Sequence, residues 1–378
     1  MRLVEARLAF AGLASFWVRE PGGLVVLRYN RSVTTAYIYH PVYLEHDQPG
    51  HPESRERLEQ VNQALDASGM RRRIRPLEPE PISIARLERV HAPEYVRRVE
   101  LVARRGGGGL AHEWDETYVA PKSFEAARLA SGGVVTAAEA VLRGDVRNAF
   151  ALVRPPGHHA FRDHGEGFCL INNIAIAATT ARRDLGVERV LIVDFDVHHG
   201  NGTQAIFYDD PTTLYFSTQQ WGIYPGTGHW RETGAGAGAG YTVNVPLTAG
   251  WGDAMYARVF DDLLAPIARR FKPQLMLASA GYDPHWSDLL GSMTVSDLGF
   301  FNLTRRLVAL SEELCGGRLV LTLEGGYGLK GLAYGVVATF AALLGDATFD
   351  DPIGPSPYPE RPIDEKYLEQ LRALHVLA

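Results

Sequence analysis

Residues 189–204 read RVLIVDFDVHHGNGTQ, an apolar run that empties into two aspartates, two histidines and two glycines. Val190 to Val193 reads as a strand covered on both faces, as in a parallel sheet between helices. A buried strand that ends in so many groups costly to desolvate needs something to compensate them. In an extended chain, residues two apart point to the same face, so Asp194, Asp196 and His198 share one side of this strand end.

Outward from this stretch, short apolar runs alternate with longer amphipathic ones. Strands are expected over 36–39, 149–153, 190–193, 213–216, 274–279 and 319–323, and helices over 55–67, 123–142, 173–184, 253–271, 295–314 and 329–344. The alternation predicts an α/β fold in one domain, a mostly parallel β-sheet with helices on both faces. Residues 1–34 form an unassigned N-terminal extension. Residues 35–378 form the domain itself, closed by a proline-rich strap from Pro352 to Pro362 and a C-terminal helix. The glycine runs 106–109 and 234–240 (GAGAGAG) read as flexible connections, since neither is followed by the Lys-Ser/Thr and helix of a phosphate cradle.

Composition narrows the function. A chain of 378 residues, 46% hydrophobic and 22% charged, is ordinary for a globular enzyme. The net charge of −6, with both signs interspersed, offers no basic stripe for nucleic acid. Two cysteines, Cys169 and Cys315, make neither a disulfide framework nor a cysteine-rich zinc site, and a cytoplasmic location follows as the expectation. The apolar run LAFAGLASFWV at residues 8–18 is preceded by Glu5 and lacks a clear small-x-small cleavage site. At that length it cannot span a bilayer, so a packed strand or helix is expected, with no membrane partner.

Open α/β sheets place their ligands beyond the carboxyl ends of the strands. Four runs here end in chemistry: ALVRPPGHHA delivers His158 and His159, LIVDFDVHHGNG delivers Asp194, Asp196, His198 and His199, LMLASAGYDPH delivers Tyr282 and Asp283, and LVLTLEGGYG delivers Glu324 and Tyr327. Asp196 and His198 can bind one ion together. With Asp283 as third ligand the set is two carboxylates and one imidazole with a position left open, the pattern of a catalytic zinc. Di-metal hydrolases of the arginase type need a further aspartate at position 200, and Gly200 stands there, so a single ion is expected.

In this order, RPPGHHA, GFCLINN (167–173), DFDVHHGNGTQ, YPGTG (224–228), SAGYD and EGGYGL closely resemble the motifs of zinc-dependent histone deacetylases and their bacterial relatives. The NGTQ ending resembles the class II branch, and the likeness runs from about Thr35 to Asp346. The resemblance implies an arginase/deacetylase-like fold and one Zn2+ held by Asp196, His198 and Asp283. It implies His159 as general base, His158 as its companion held by Asp194, and Tyr327 as the hydroxyl that stabilises the oxyanion. Asn201, where class I relatives carry an aspartate, would orient His159 without adding charge and leave a less basic imidazole. Asp194 and Ser217, with the backbone of Asp196 and His198, match a structural monovalent cation site for K+ or Na+. Arg57 matches an arginine below the metal that helps acetate leave.

The same resemblance implies a tunnel for an acylated side chain. Gly167 would let the alkyl chain pass close to backbone, Phe168 and Tyr224 match its aromatic walls, and Asp115 matches a rim aspartate that grips substrate amides. Leu290 stands where the class II polyamine enzyme carries a gatekeeper glutamate, which weakens a polyamine reading, although Glu116 or Asp288 could meet a distal ammonium. The expected function is a zinc-dependent amidohydrolase removing acetyl or another acyl group from an N-acyl-lysine or similar amine. The alternatives are an acetylpolyamine amidohydrolase and, in another class, a non-catalytic acyl-amine binding module.

Overall fold

The computed structural model describes residues 34–110 and 116–375, together with the backbone of two strands nearer the N-terminus, Ser15–Arg19 and Val25–Tyr29. In chain order the described strands are β1 Ser15–Arg19, β2 Val25–Tyr29, β3 Thr35–Ile38, β4 Arg75–Leu77, β5 Gly108–Gly109, β6 Tyr118–Val119, β7 Asn148–Ala151, β8 Val190–Asp194, β9 Thr213–Gln220, β10 Thr242–Leu247, β11 Leu275–Ala280 and β12 Leu319–Leu323. Eight of them form one sheet in the order β10-β9-β8-β11-β12-β7-β3-β4, with every pairing parallel.

The apolar runs explain the sheet. Every residue of β8, β11 and β12 is buried, as strands covered by helices on both faces must be. One helical layer contains Ser123–Arg143 against Asn173–Asp184; the other contains Glu56–Ala67, Leu329–Leu344 and Asp297–Cys315. The expected α/β architecture is therefore the observed one.

Several local expectations are corrected. β10 was not anticipated, because Pro246 interrupts its sequence; it pairs only with β9 at the sheet edge, where a proline costs no ladder bond. The expected helix over 253–271 is divided into Asp253–Val259 and Ala265–Phe271 by a wider turn at Phe260–Leu264. Pro266 has no N–H for the regular ladder, and the amide of Ala265 instead reaches Phe260 O, five residues back. The GAGAGAG connection is pinned: Ala235 N donates to Tyr208 O at 2.8 Å, and a Cβ on Gly238 would meet Asp209 backbone at 2.6 Å. Helices Pro93–Arg104 and Asn201–Phe207 were also missed. Of residues 8–18, only 15–18 are described, in β1, which pairs antiparallel with β2.

Beneath the strand ends lies a buried ion network. Glu53 accepts from Arg154 Nε at 2.5 Å and Nη2 at 2.7 Å, and from Arg57 Nη1 at 3.0 Å; all three residues have no exposed surface. Arg57 also donates to the carbonyls of Gly326 at 2.7 Å and Glu324 at 2.5 Å. It thereby clamps the loop after β12, and its guanidinium lies 5.0 Å from the ring of Tyr327.

Glu53→Ala should therefore strand two buried guanidinium groups and destabilise the fold by about 3–5 kcal/mol, measured by urea denaturation. An unchanged midpoint would contradict this account of the network.

Candidate functional site

The sheet order makes four neighbours of the strands whose ends carry chemistry, β8, β11, β12 and β7. From β8 the chain builds outward through β9 and β10, then returns to place β11 on the other side of β8. The crevice beyond the carboxyl ends of β8 and β11 is the switch point at which open α/β sheets bind ligands.

Among the described residues, Asp196, His198 and Asp283 bring one ligand atom each to within 4.8 Å of one another. His198 Nδ1 lies 3.2 Å from Asp196 Oδ1 and 3.1 Å from Asp283 Oδ2. The other carboxylate oxygens are held by backbone: Val197 N donates to Asp283 Oδ1 at 2.8 Å, and Gly325 N to Asp196 Oδ2 at 2.8 Å. Burial, and then the neighbouring charge of Asp196, push the Asp283 carboxyl up to about 7. Burial would depress His198, yet hydrogen bonds to Asp196 and Asp283 raise it to about 10. Burial would raise the Asp196 carboxyl too, yet the charge of His158 and hydrogen bonds from His198 hold it well below the usual range. Two buried carboxyls around one imidazole form a site suited to a cation. The cradle is cut to fit: a Cβ on Gly325 would stand 2.2 Å from Asp283 Oδ2, and one on Gly281 would stand 2.1 Å from Asp196 Oδ2. Two carboxylates, one imidazole and bare backbone suit a zinc ion with an open position. At Gly200 a Cβ would lie 2.2 Å from Asp194 Oδ2, so this arrangement has no room for a carboxylate there.

The two histidines from the end of β7 have rings 4.0 Å apart but different partners. His158 Nδ1 lies 3.1 Å from Asp194 Oδ2, and Asp194 also accepts from Tyr215 OH at 3.0 Å and Asp196 N at 3.2 Å. Burial would lower the His158 pKa, but the charges of Asp196 and Asp194 reverse this and hold it at about 10. His159 Nδ1 lies 2.8 Å from Asn201 Oδ1. Burial, together with the charges of His158 and His198, holds His159 well below the usual histidine range. A second trio, His158, Cys169 and Glu324, is equally compact. Glu324, however, is engaged in accepting from Gly157 N at 2.7 Å, His158 N at 3.2 Å and Ser279 Oγ at 3.0 Å.

Around this centre Phe168 and Tyr327 meet edge to face at 5.8 Å, and Tyr224 meets His159 edge to face at 5.1 Å. Gly167 has φ +54°, and a Cβ there would press into the His159 ring at 2.4 Å, so only glycine fits between loop and imidazole. Burial raises the Tyr327 hydroxyl well above the usual range, which keeps it a donor. Tyr224, whose ring also meets His198 edge to face at 6.2 Å, is 42% exposed; Trp221, Leu289 and Leu290 are exposed as well. Ser217 is the register partner of Asp194, and its hydroxyl donates to Gln219 at 2.9 Å. Asp115 lies outside the described residues.

Two functional-looking groups escaped the sequence reading. Asp288, offered there as a free acid, accepts from Tyr327 N at 2.6 Å, Gly328 N at 2.7 Å and Leu290 N at 2.9 Å; it is a backbone clamp. Glu166 accepts from Asn201 Nδ2 at 2.6 Å, and nothing in its local sequence announces that contact.

A histone deacetylase domain is matched over residues 51–343. A probable deacetylase of Archaeoglobus fulgidus is 44% identical over 317 residues, 83% of this chain and 87% of that protein. The polyamine deacetylase HDAC10 of Homo sapiens is 42% identical over 306 residues, 77% of this chain and 45% of that protein. The crystal structure of the HDA15 HD domain superposes with a TM-score of 0.82 at 36% identity, covering 90% of this chain and 94% of that one.

Asp196→Ala should abolish stoichiometric zinc binding, and Gly325→Ala, which displaces both carboxylates, should weaken it by about 10–100-fold. Metal content after dialysis against graded chelator measures both. Full retention in the Gly325 variant would refute the cradle.

Proposed function

This chain belongs to the histone deacetylase family, and from that membership we propose a zinc-dependent hydrolase that removes an acyl group from an N-acyl-lysine or similar amine. A zinc ion held by Asp196, His198 and Asp283 would supply Lewis acidity, activating water and polarising the amide carbonyl. The remaining steps fall to the protein. His159, neutral and with Nδ1 engaged by Asn201, takes a proton at Nε2 from the water and returns it to the departing amine. His158, with Nδ1 held by Asp194, would offset negative charge beside it. Tyr327 donates its hydroxyl proton toward the carbonyl oxygen as that oxygen becomes anionic. Phe168, Tyr224 and Gly167 would enclose the alkyl chain and exclude water.

The observation that carries this reading is the juxtaposition of a three-donor cation cradle with two imidazoles 4.0 Å apart, one facing the carboxylate of Asp194 and the other the amide of Asn201. Retention of both histidines and Tyr327 supports a working enzyme over a binding module. We further propose that Asp194 and Ser217, with the backbone of Asp196 and His198, hold a structural K+ or Na+. Residues 35–378 would be the catalytic domain and residues 1–34 an extension, and Asp115 would belong to its rim. The two cysteines, free and buried, support a cytoplasmic location.

A polyamine substrate is the second reading, favoured by the likeness to a protein named a polyamine deacetylase. The described rim supports a lysine-like substrate better. Leu289, Leu290, Trp221 and Tyr224 are apolar or aromatic and exposed, while Asp288 is bound to backbone. A distal ammonium would find no partner in Leu290 or Asp288, which leaves Glu116, exposed on the loop whose carbonyl meets His51, as the acid to substitute should polyamines be turned over.

The test is mass-spectrometric release of free amine from acetyl-lysine peptides, longer acyl-lysines and acetylated polyamines by zinc-loaded protein. Acyl-lysines should be turned over in preference to polyamines, and the reverse order would favour the second reading. Tyr327→Phe should retain zinc and lose about 10²–10³ in kcat, the size of one lost oxyanion donor. Normal turnover by that variant would remove the oxyanion role.

A further inference from the structure

Glu166 lies on the turn Gly165-Glu166-Gly167 that also carries the tunnel wall, and its carbonyl accepts from Cys169 N at 2.9 Å. Its carboxylate accepts from Asn201 Nδ2 at 2.6 Å. A carboxylate can only accept, so the NH2 end of the Asn201 amide must face Glu166 and the oxygen must face away. That oxygen meets His159 Nδ1 at 2.8 Å and the amide of Gly202 at 3.0 Å. An amide oxygen can only accept as well, so the His159 proton resides on Nδ1 and the lone pair on Nε2. Two contacts in series, spanning 35 and 42 positions of the chain, thus define the tautomer of one imidazole.

We propose that Glu166 is a positioning residue for the general base: it orients the Asn201 amide and thereby holds His159 in the Nδ1–H form. The inference rests on the hydrolase reading above. It also explains the asparagine at 201. An aspartate there would set two carboxylates face to face at hydrogen-bond distance, and they would have to share a proton or part. Glu166 and Asn201 together place the negative charge one group further from His159. The outer end of Glu166 faces His164 Nε2 at 3.7 Å, and Asp163 holds His164 Nδ1 at 2.8 Å, so the chain of contacts runs from the buried base to the surface.

The test is a double-mutant cycle on zinc-loaded protein, with the best substrate of the panel. Glu166→Ala should lower kcat about 10–100-fold while KM changes little, and Glu166→Gln, whose amide oxygen still accepts from Asn201, should lose less than about 5-fold. Asn201→Asp alone should be severely impaired, whereas Asn201→Asp with Glu166→Gln, whose NH2 can donate to the new carboxylate, should recover at least about 10-fold over it. The side-chain nitrogen shifts of His159 should report Nδ1–H in the unsubstituted protein and a mixture with Nε2–H in Glu166→Ala. A glutamate that merely shaped the turn would make the Ala and Gln variants alike and give Asn201→Asp the same loss in either background; that pattern, or an unchanged tautomer, overturns the proposal. No turnover by the unsubstituted protein anywhere on the panel would strike the hydrolase reading instead, and the nitrogen shifts, which need no substrate, would still decide the case of Glu166. Should Glu166→Ala fail to fold, the Gln-based pair carries the test.

Discussion

Four carboxylates, Asp194, Asp196, Asp283 and Glu324, are buried within one small region at the carboxyl edge of the sheet, and the rest of the site is arranged around what that costs. An ionised carboxylate withdrawn from water loses several kcal/mol unless it is paired and hydrogen-bonded. Asp194 has the imidazole of His158, a phenol and a backbone amide, and burial still raises its carboxyl above the usual range. Burial and the neighbouring carboxylates leave Glu324 up at about 7 despite His158 and the backbone donors of Gly157 and His158. Asp196 and Asp283 share the imidazole of His198 and three backbone amides, with His158 Nε2 3.9 Å from Asp196, and burial still pushes Asp283 up to about 7. A divalent cation is the simplest completion of such a set.

The same constraint accounts for the bare backbone. Side chains are excluded where backbone packs directly on the carboxylates: a Cβ on Gly281 would stand 2.1 Å from Asp196 Oδ2, and one on Gly325 2.2 Å from Asp283 Oδ2. The loop after β12 is then held from three sides, by Asp196 at Gly325, by Asp288 at Tyr327 and Gly328, and by Arg57 at the carbonyls of Glu324 and Gly326. Tyr327 therefore belongs to a clamped segment, and its ring is braced by Phe168 and the Arg57 guanidinium. Apart from Glu53 and its two arginines, the described charges far from this region are mostly surface pairs, which contribute little.

What the sequence made legible was whatever is encoded within a few residues. Strand runs such as Val190 to Val193 and the Asp-x-His ending after them obey the period of two, and four such endings already located the site before their adjacency in the sheet was visible. The contacts that tune those groups are encoded across long separations instead. Glu53 meets Arg154 across 101 positions and Glu166 meets Asn201 across 35, and neither glutamate differs locally from a solvated acid. Asp288 was misread for the same reason, since an acid next to two leucines gives no hint that it caps the backbone of a distant loop. β10 was lost because proline argues against a strand, an argument that fails at a sheet edge.

His158 and His159 are neighbours in sequence and nearly in contact, yet their pKa values are driven in opposite directions, and the difference comes from the charges each faces. The first meets the buried carboxylate of Asp194, the second the uncharged amide of Asn201. Titratable groups pushed apart in this way divide acid from base at a single pH. Burial disfavours both charged forms alike, so it cannot make the distinction; fixed charge must. The largest upward influence on His158 is Asp196, itself one of the three donors of the cation cradle. A cation bound to Asp196 would cancel part of that field and draw His158 down from about 10 toward working pH, leaving Asp194 as its principal support. The cation cradle and the histidine pair would therefore act as one electrostatic unit, because Asp196 belongs to both.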